Sequence, residues 1–292
     1  MSFAIITDTS ANIPTPMTEK YAIRVLPLSY IENGVQYECV DTETFDSVGY
    51  YEKMKAGAKI TTSQINPQKY IDCMEDILQE GQDILFVGMS AGVSGTFHSA
   101  QIARDQLMEK YTDRTIRLVD TMGASLGEGL LVLKAQKCRE QGMSLCDTAD
   151  LLERERWNMA QIFTVDDLNH LRRGGRLSNT VALVGTLLNI KPLLKGNEEG
   201  KIVSTEKVRG RKAVIARLAQ KYEQLAVHPE NQIVGISHCS CPEDAEHLAQ
   251  MIREIAEPKE IMIVDHEPVT GSYLGPGALA LYFEGDENTR TK

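Results

Sequence analysis

From Phe3 to Gln141, short apolar runs alternate with stretches of helical spacing, and no other feature of this chain restricts its fold as far. Phe3–Thr7, Asp83–Gly88 and Thr115–Val119 read as strands; Thr44–Lys55, Pro67–Leu78, Thr96–Tyr111 and Gly123–Gln141 read as helices. In Pro67–Leu78, the side chains of Tyr70, Ile71, Met74, Ile77 and Leu78 share one face of a helical period. Strands joined by crossover helices pair in parallel. Ile23–Ile31 and Val35–Tyr37 flank Glu32-Asn33-Gly34, and an Asn-Gly pair that tolerates positive φ predicts a hairpin there. Ligands of open parallel sheets bind beyond the carboxyl ends of the strands. Those ends are Thr7-Asp8-Thr9, Met89–Thr96 and Asp120–Ser125.

After a helix expected at Ser144–Met159 the rhythm changes. Gln161–Val165 reads as a strand and a short helix reaches Arg173, stopped by Gly174-Gly175. Thr180–Ile190 has helical spacing up to Pro192, and Pro192–Lys195 with Lys201–Glu206 bracket a hairpin loop at Gly196–Gly200. Arg211–Ala226 and Pro242–Ile255 read as helices; Gln232–Ser237, Glu260–Asp265 and Ala278–Phe283 read as strands. The expectation is an α/β protein with an N-terminal parallel-sheet domain over residues 1–158 and a C-terminal mixed α+β domain over 159–292. A length of 292 residues suits two domains of about 100–200 residues each.

A net charge of −10 argues against general nucleic-acid binding. From His170 to Arg217, however, eleven Lys and Arg face only Glu198, Glu199 and Glu206, a net +8 that leaves −18 for the rest. That stretch reads either as a solvated basic face or as a docking surface for an anionic partner. No run approaches the roughly 20 apolar residues of a membrane span, and Met1–Asp8 has no basic n-region, so it reads as a first strand and not as a signal peptide. Six scattered cysteines then read as reduced cytoplasmic thiols, and Cys239-Ser240-Cys241 is too short a cluster for a metal site.

Several catalytic signatures fail. Gly196–Lys201 spaces its glycines one residue too closely for a phosphate loop and lacks the Ser or Thr that would hold magnesium. Gly275-Pro276-Gly277-Ala278-Leu279-Ala280 fits a dinucleotide fingerprint by letters, but only 12 residues follow it. No cofactor and no metal are expected. Three polar clusters survive where loops are expected: Thr61-Thr62-Ser63-Gln64 before a helix, Ser90–Phe97 leading from a strand into a helix, and Gly271–Gly277, which otherwise reads as a glycine-rich turn between strands. Hydroxyls beside the free N–H groups of a helix start suit a carboxylate or phosphate. A Ser there equally serves as an ordinary N-cap.

In order along nearly the whole chain, these segments resemble the DegV family. Asp8-Thr9-Ser10 is similar to its opening acidic–hydroxyl loop, Thr62-Ser63-Gln64 to its TSQ motif, and Ser90–Phe97 to its SxGxSGTY motif. Val119-Asp120-Thr121, Leu168–Arg176, Asn189–Leu194, Lys207–Ala213 and Gly275-Pro276-Gly277-Ala278 resemble its later elements. The resemblance implies a carrier that holds a long-chain fatty acid (C14–C18) in a tunnel between two domains, with the carboxylate on Thr62 and Ser94. Ser63, Gly95, Thr96 and Tyr273 would complete the ligand site, and no residue would be catalytic. It also implies, as a possible partner, the ATP-binding subunit of a fatty acid kinase, met by Arg172, Arg173, Arg176 and Arg209. Two positions depart from the family pattern: Tyr273 stands where kinase-associated members often have His, and Ile65 follows TSQ where Pro is common. The alternative reading is an enzyme acting on a small phosphorylated or carboxylated substrate in the same cleft, with Asp8, Asp120 and His98 as the nearby acid–base candidates.

Overall fold

A computed structural model describes residues 3–178 and 189–291. The chain forms two compact units: Met1–Phe45 with Ile60–Arg156, and Asp46–Lys59 with Trp157–Lys292.

The first unit begins with β1 (Ala4–Asp8), α1 (Thr15–Lys20), β2 (Ile23–Leu26), β3 (Ser29–Glu32) and β4 (Val35–Glu38). The next helix, α2 (Ser47–Lys55), belongs to the second unit. The first then resumes with β5 (Ile60–Ser63), α3 (Pro67–Gln79), β6 (Ile84–Gly88), α4 (Thr96–Lys110), β7 (Ile116–Asp120), α5 (Leu126–Glu140) and α6 (Leu145–Glu155). Four strands in the order β2-β1-β6-β7 make an all-parallel sheet, as the alternation predicts. Its central strands are largely apolar because both faces are covered: Ile5, Ile6, Ile84, Leu85, Phe86 and Val87 are all fully buried. Tyr70, Met74, Ile77 and Leu78 form the buried face of α3. That helix starts where Asn66 Oδ1 accepts the Lys69 N–H at 3.0 Å and Pro67 takes the first position.

Beside this sheet lies a smaller one, in the order β4-β3-β5 and antiparallel throughout. The β3–β4 hairpin turns at Asn33 (φ 53°) and Gly34 (φ 80°), the conformation that Asn-Gly favours. Two expectations are corrected here. Ile23–Ile31 is not one strand: it divides at Pro27-Leu28 between the two sheets, since proline offers no N–H to a ladder. Thr61–Ser63 is not loop but part of β5, with Thr62 paired to Tyr30.

In the second unit come β8 (Met159–Thr164), α7 (Asn169–Arg173), β9 (Ile190–Gly196), β10 (Ile202–Arg209), α8 (Arg211–Leu225), β11 (Ile233–His238), α9 (Pro242–Ile255), β12 (Glu260–Asp265), α10 (Pro268–Leu274) and β13 (Leu279–Glu284). Met159, expected to end a helix, opens β8 opposite Glu284. The expected helix at Thr180–Ile190 falls mostly outside the described residues, and Ile190 itself starts a strand. Six strands in the order β10-β9-β8-β13-β11-β12 form a mixed sheet in which β11 and β12 are parallel. Val214, Leu218 and Tyr222 from α8, with Leu248 and Ile252 from α9, pack on Ile162, Ile236, Leu281 and Phe283. The segment Gly271–Leu274, read as part of a glycine-rich turn, is helical in α10. The Glu267 carboxylate caps that helix by accepting the Val269 and Thr270 N–H groups at 2.7 and 2.6 Å, which compensates for the poor helix propensity of Gly271 and Ser272.

Candidate functional site

The site residues of the first unit sit on two adjoining segments. Thr62 and Ser63 close β5, Thr62 half-buried and Ser63 exposed. Ser94 and Gly95 lie in the turn between β6 and α4, and Thr96 is the first, fully buried residue of α4. The turn is held from within. The Ser90 carbonyl accepts the Val93 and Ser94 N–H groups at 3.2 Å each, and Ser90 Oγ accepts the Gly92 N–H at 3.1 Å. Ser94 Oγ in turn accepts the Thr96 N–H at 3.2 Å. A hydroxyl has one proton to donate and two lone pairs. With an acceptor position of Ser94 engaged by backbone, its proton remains for a group that only accepts, such as a carboxylate.

The two segments touch. Thr96 Oγ1 accepts the Ile65 N–H at 3.0 Å, and Gln64 Nε2 donates to Ser99 Oγ at 3.3 Å. Gly95 leaves room for the Gln64 amide: a Cβ on Gly95 would lie 2.3 Å from Gln64 Oε1. Sequence reasoning named Thr62, Ser94 and Thr96 but missed Ile65, Gln64 and Ser99 as the parts that join them. The signal was present, in a polar Gln64 directly after the hydroxyl pair and a Gly95 with no turn requirement of its own.

Behind these loops the first unit buries a second polar group. Glu128, on α5, accepts from Thr7 Oγ1 at 3.0 Å and from Ser10 Oγ at 2.5 Å. Asp8 Oδ1 accepts the Ser10 N–H at 2.9 Å. Burial raises the Asp8 carboxyl above its ordinary range, opposed by its Ser10 hydrogen bonds. Asp120 accepts the Met122 N–H at 2.7 Å and the Ala91 N–H at 3.2 Å, while exposed His98 bonds Gln101 at 3.3 Å. Glu128 escaped the sequence reading because a glutamate between Gly127 and Gly129, ahead of Leu130 and Leu131, looks like a solvated helix residue.

In the second unit, the Tyr273 ring at the end of α10 lies under the Arg176 guanidinium, 4.5 Å from ring centroid to Cζ. Gly174 admits the ring, since a Cβ there would stand 2.2 Å from Tyr273 Cδ1. Tyr273 and Arg176, assigned to ligand and partner respectively by the family resemblance, are therefore neighbours. Arg172 and Arg173 on α7 and Arg209 at the end of β10 are exposed. Part of the basic segment is consumed internally: Lys191 and Arg211 pair with Asp166 at 2.7 and 3.4 Å, and Arg217 with Glu206 at 2.6 Å. The Arg217 guanidinium, with Lys221, holds Glu206 down to about 2. Gly275 and Gly277 seat their turn over the His170 ring and the Asp166 carboxylate. Burial, reinforced by Arg173, lowers the His170 pKa. Among the described residues no group of acidic, His and Cys side chains has the arrangement of a metal site, and no helix is long and apolar enough to cross a membrane.

Comparison with known proteins places this geometry. Residues 2–286 match the family model of the DegV family, described as uncharacterised proteins. A DegV domain-containing protein of Clostridium perfringens is 39% identical over 285 residues, covering 97% of this chain and 98% of the relative. A fatty-acid-binding DegV family protein of Streptococcus agalactiae superposes with a TM-score of 0.85 at 32% identity, over 98% of this chain and all of that one. A DegV family protein of Ruminococcus gnavus, whose structure was refined with vaccenic acid, gives 0.86 at 26% identity, over 97% and 99% of the two chains. The order of motifs from Asp8 to Gly277, the parallel and mixed sheets and the whole-chain matches agree, and the chain belongs to the DegV family.

Proposed function

We propose that this chain binds one long-chain fatty acid and holds its carboxylate on the hydroxyls of Thr62 and Ser94. The observation that carries the proposal is the Ser94 hydroxyl, whose bond from the Thr96 N–H leaves its own proton for an acceptor. A buried carboxylate needs such donors to stay ionised. An acid of roughly 14–18 carbons contributes about 0.8 kcal/mol for each methylene it buries, so tight binding needs no catalytic group. The fatty-acid-binding relative and the relative refined with vaccenic acid support the same ligand class. The family resemblance assigns Tyr273 to the same ligand, to which it would offer a neutral hydrogen bond.

The chain then acts as a carrier without enzymatic activity of its own. Its bound carboxylate would be phosphorylated by a separate ATP-binding kinase chain, met by exposed Arg172, Arg173 and Arg209 and by Arg176. Charge reversal of exposed Arg172 and Arg209 to Glu should abolish phosphorylation of bound lipid by a cognate kinase subunit and spare lipid loading; lost loading with intact coupling would contradict this. The enzyme reading has less behind it, because Asp8 and Asp120 are committed to backbone N–H groups. Titration of delipidated protein with oleate tests the carboxylate site. Ser94→Ala and Thr62→Ala should each lose roughly 1.5–3 kcal/mol with the fold intact. Unchanged affinity in both would exclude it.

A further inference from the structure

We propose that Thr96 is a positioning residue: together with Gln64 it latches the Thr62 segment to the Ser94 segment and so sets the spacing of the two carboxylate-binding hydroxyls. The inference rests on the fatty-acid reading above and assigns a further residue to that site. Thr96 is fully buried, so its role is exerted through its neighbours. Its backbone N–H donates to Ser94 Oγ at 3.2 Å, and its own Oγ1 accepts the Ile65 N–H at 3.0 Å. One residue thus touches both segments, two positions after Ser94 and, through Ile65, three positions after Thr62. The far side of Thr62 is fixed by its pairing with Tyr30 in the small sheet. Gln64 adds a second tie, its amide donating to Ser99 Oγ at 3.3 Å and lying against Gly95.

A loop that needed only stability could be tied to the core at any point. These ties instead join the two segments that carry the proposed ligand hydroxyls. Two donors aimed at one carboxylate act together only when their separation matches its two oxygens, and hydrogen bonds weaken steeply with misalignment. Removing the Thr96 hydroxyl leaves the Ile65 N–H without its partner and frees the Thr62 segment to shift.

The test uses the delipidated full chain with two probes, oleate and oleyl alcohol, which share a chain but not a carboxylate. Thr96→Val keeps the β-branched shape and the backbone N–H and loses the hydroxyl. It should weaken oleate binding about tenfold, the equivalent of 1.4 kcal/mol, and leave oleyl alcohol binding unchanged. Thr96→Ser restores the hydroxyl and should bind oleate like the wild type. If Thr96→Val fails to fold, Gly95→Ala takes its place: Gly95 has φ −75° and is exposed, so alanine there displaces only the Gln64 side chain. It should weaken oleate selectively by a smaller factor. Equal weakening of both probes, or wild-type oleate affinity in the variants, overturns the latch and leaves the carrier reading standing. A wild-type protein that binds neither probe overturns both.

Discussion

Among the titratable groups that each unit buries, Asp8 of the first and His266 of the second respond to acid with opposite sign. In the first unit Asp8 is fully buried, and burial raises its carboxyl above the ordinary 3.8. In the second, His266 is 2% exposed, with Nδ1 2.9 Å from Ser237 Oγ and Nε2 2.8 Å from Thr270 Oγ1. Burial, reinforced by His238, lowers it to about 3. A low-dielectric interior disfavours whichever form is charged, so the acid keeps its proton more readily and the base loses it. The unfolded histidine takes a proton near its ordinary 6.5, and the folded one not until about 3. Stability from His266 is therefore complete above 6.5 and is lost as pH falls toward 3. Folded Asp8 protonates at a higher pH than unfolded Asp8, so its contribution becomes more favourable as pH falls through the folded value toward 3.8. Acid should open the second unit first.

The largest expected effect comes from overcrowding the packing around His266. Tyr51 is fully buried and donates its hydroxyl to the His266 carbonyl at 2.7 Å. A Cβ on Gly271 would stand 2.0 Å from that hydroxyl. Gly271→Ala should cost about 3 kcal/mol through overpacking and the displaced bond, read in urea unfolding at pH 7. Trp157, the one tryptophan of the chain, lies in the second unit and gives the fluorescence signal. A variant as stable as wild type would mean that α10 moves freely and the His266 surroundings are soft. Next in size, lowering the pH from 7 to 5 should remove on the order of 2 kcal/mol by the Trp157 signal. His266→Gln should flatten that dependence; an unchanged slope would take the acid response away from His266.

A smaller effect separates the two ways a hydroxyl is aimed. Ser94 is oriented by a backbone N–H, Tyr273 by ring packing under Arg176. Tyr273→Phe keeps the ring and should weaken oleate by about 1 kcal/mol, less than Ser94→Ala; no change would make Tyr273 a packing residue. Smallest is Asp8→Asn, which retains an acceptor for the Ser10 N–H. In the wild type, hydrogen exchange of the β1 and β6 amides should slow slightly from pH 6 to 4 after correction for intrinsic rates. The variant should lose that trend, and a wild-type trend of the opposite sign would reverse the comparison.

Local signals made much of this fold legible. Apolar runs gave β1, β6 and β7 because both faces of that sheet are covered, and Asn33-Gly34 gave the hairpin because its backbone needs positive φ. The strand holding Thr62 was hidden, since Ile60-Thr61-Thr62-Ser63 is short and mostly polar and becomes a strand only by pairing with β3. So was α10, whose start depends on the Glu267 cap and not on propensity. The passage of α2 into the second unit has no local cue, because it rests on long-range bonds from Tyr50 and Tyr51 to Pro268 and His266. At the site, the ordered motifs pointed to Thr62 and Ser94. The joining contacts of Thr96, Gln64 and Ile65 depend on two loops meeting, which single-sequence spacing does not encode. The pairing of Tyr273 with Arg176 is hidden for the same reason.

The central claim is that this chain carries a fatty acid by its carboxylate. Protein purified without added lipid, extracted with organic solvent and analysed by mass spectrometry, tests it most directly. Expected is about one acid per chain, of roughly 14–18 carbons, enough buried methylenes to survive purification, and much less in a Thr62→Ala, Ser94→Ala double variant. No acid in repeated preparations, together with no binding of added palmitate or oleate, would contradict it.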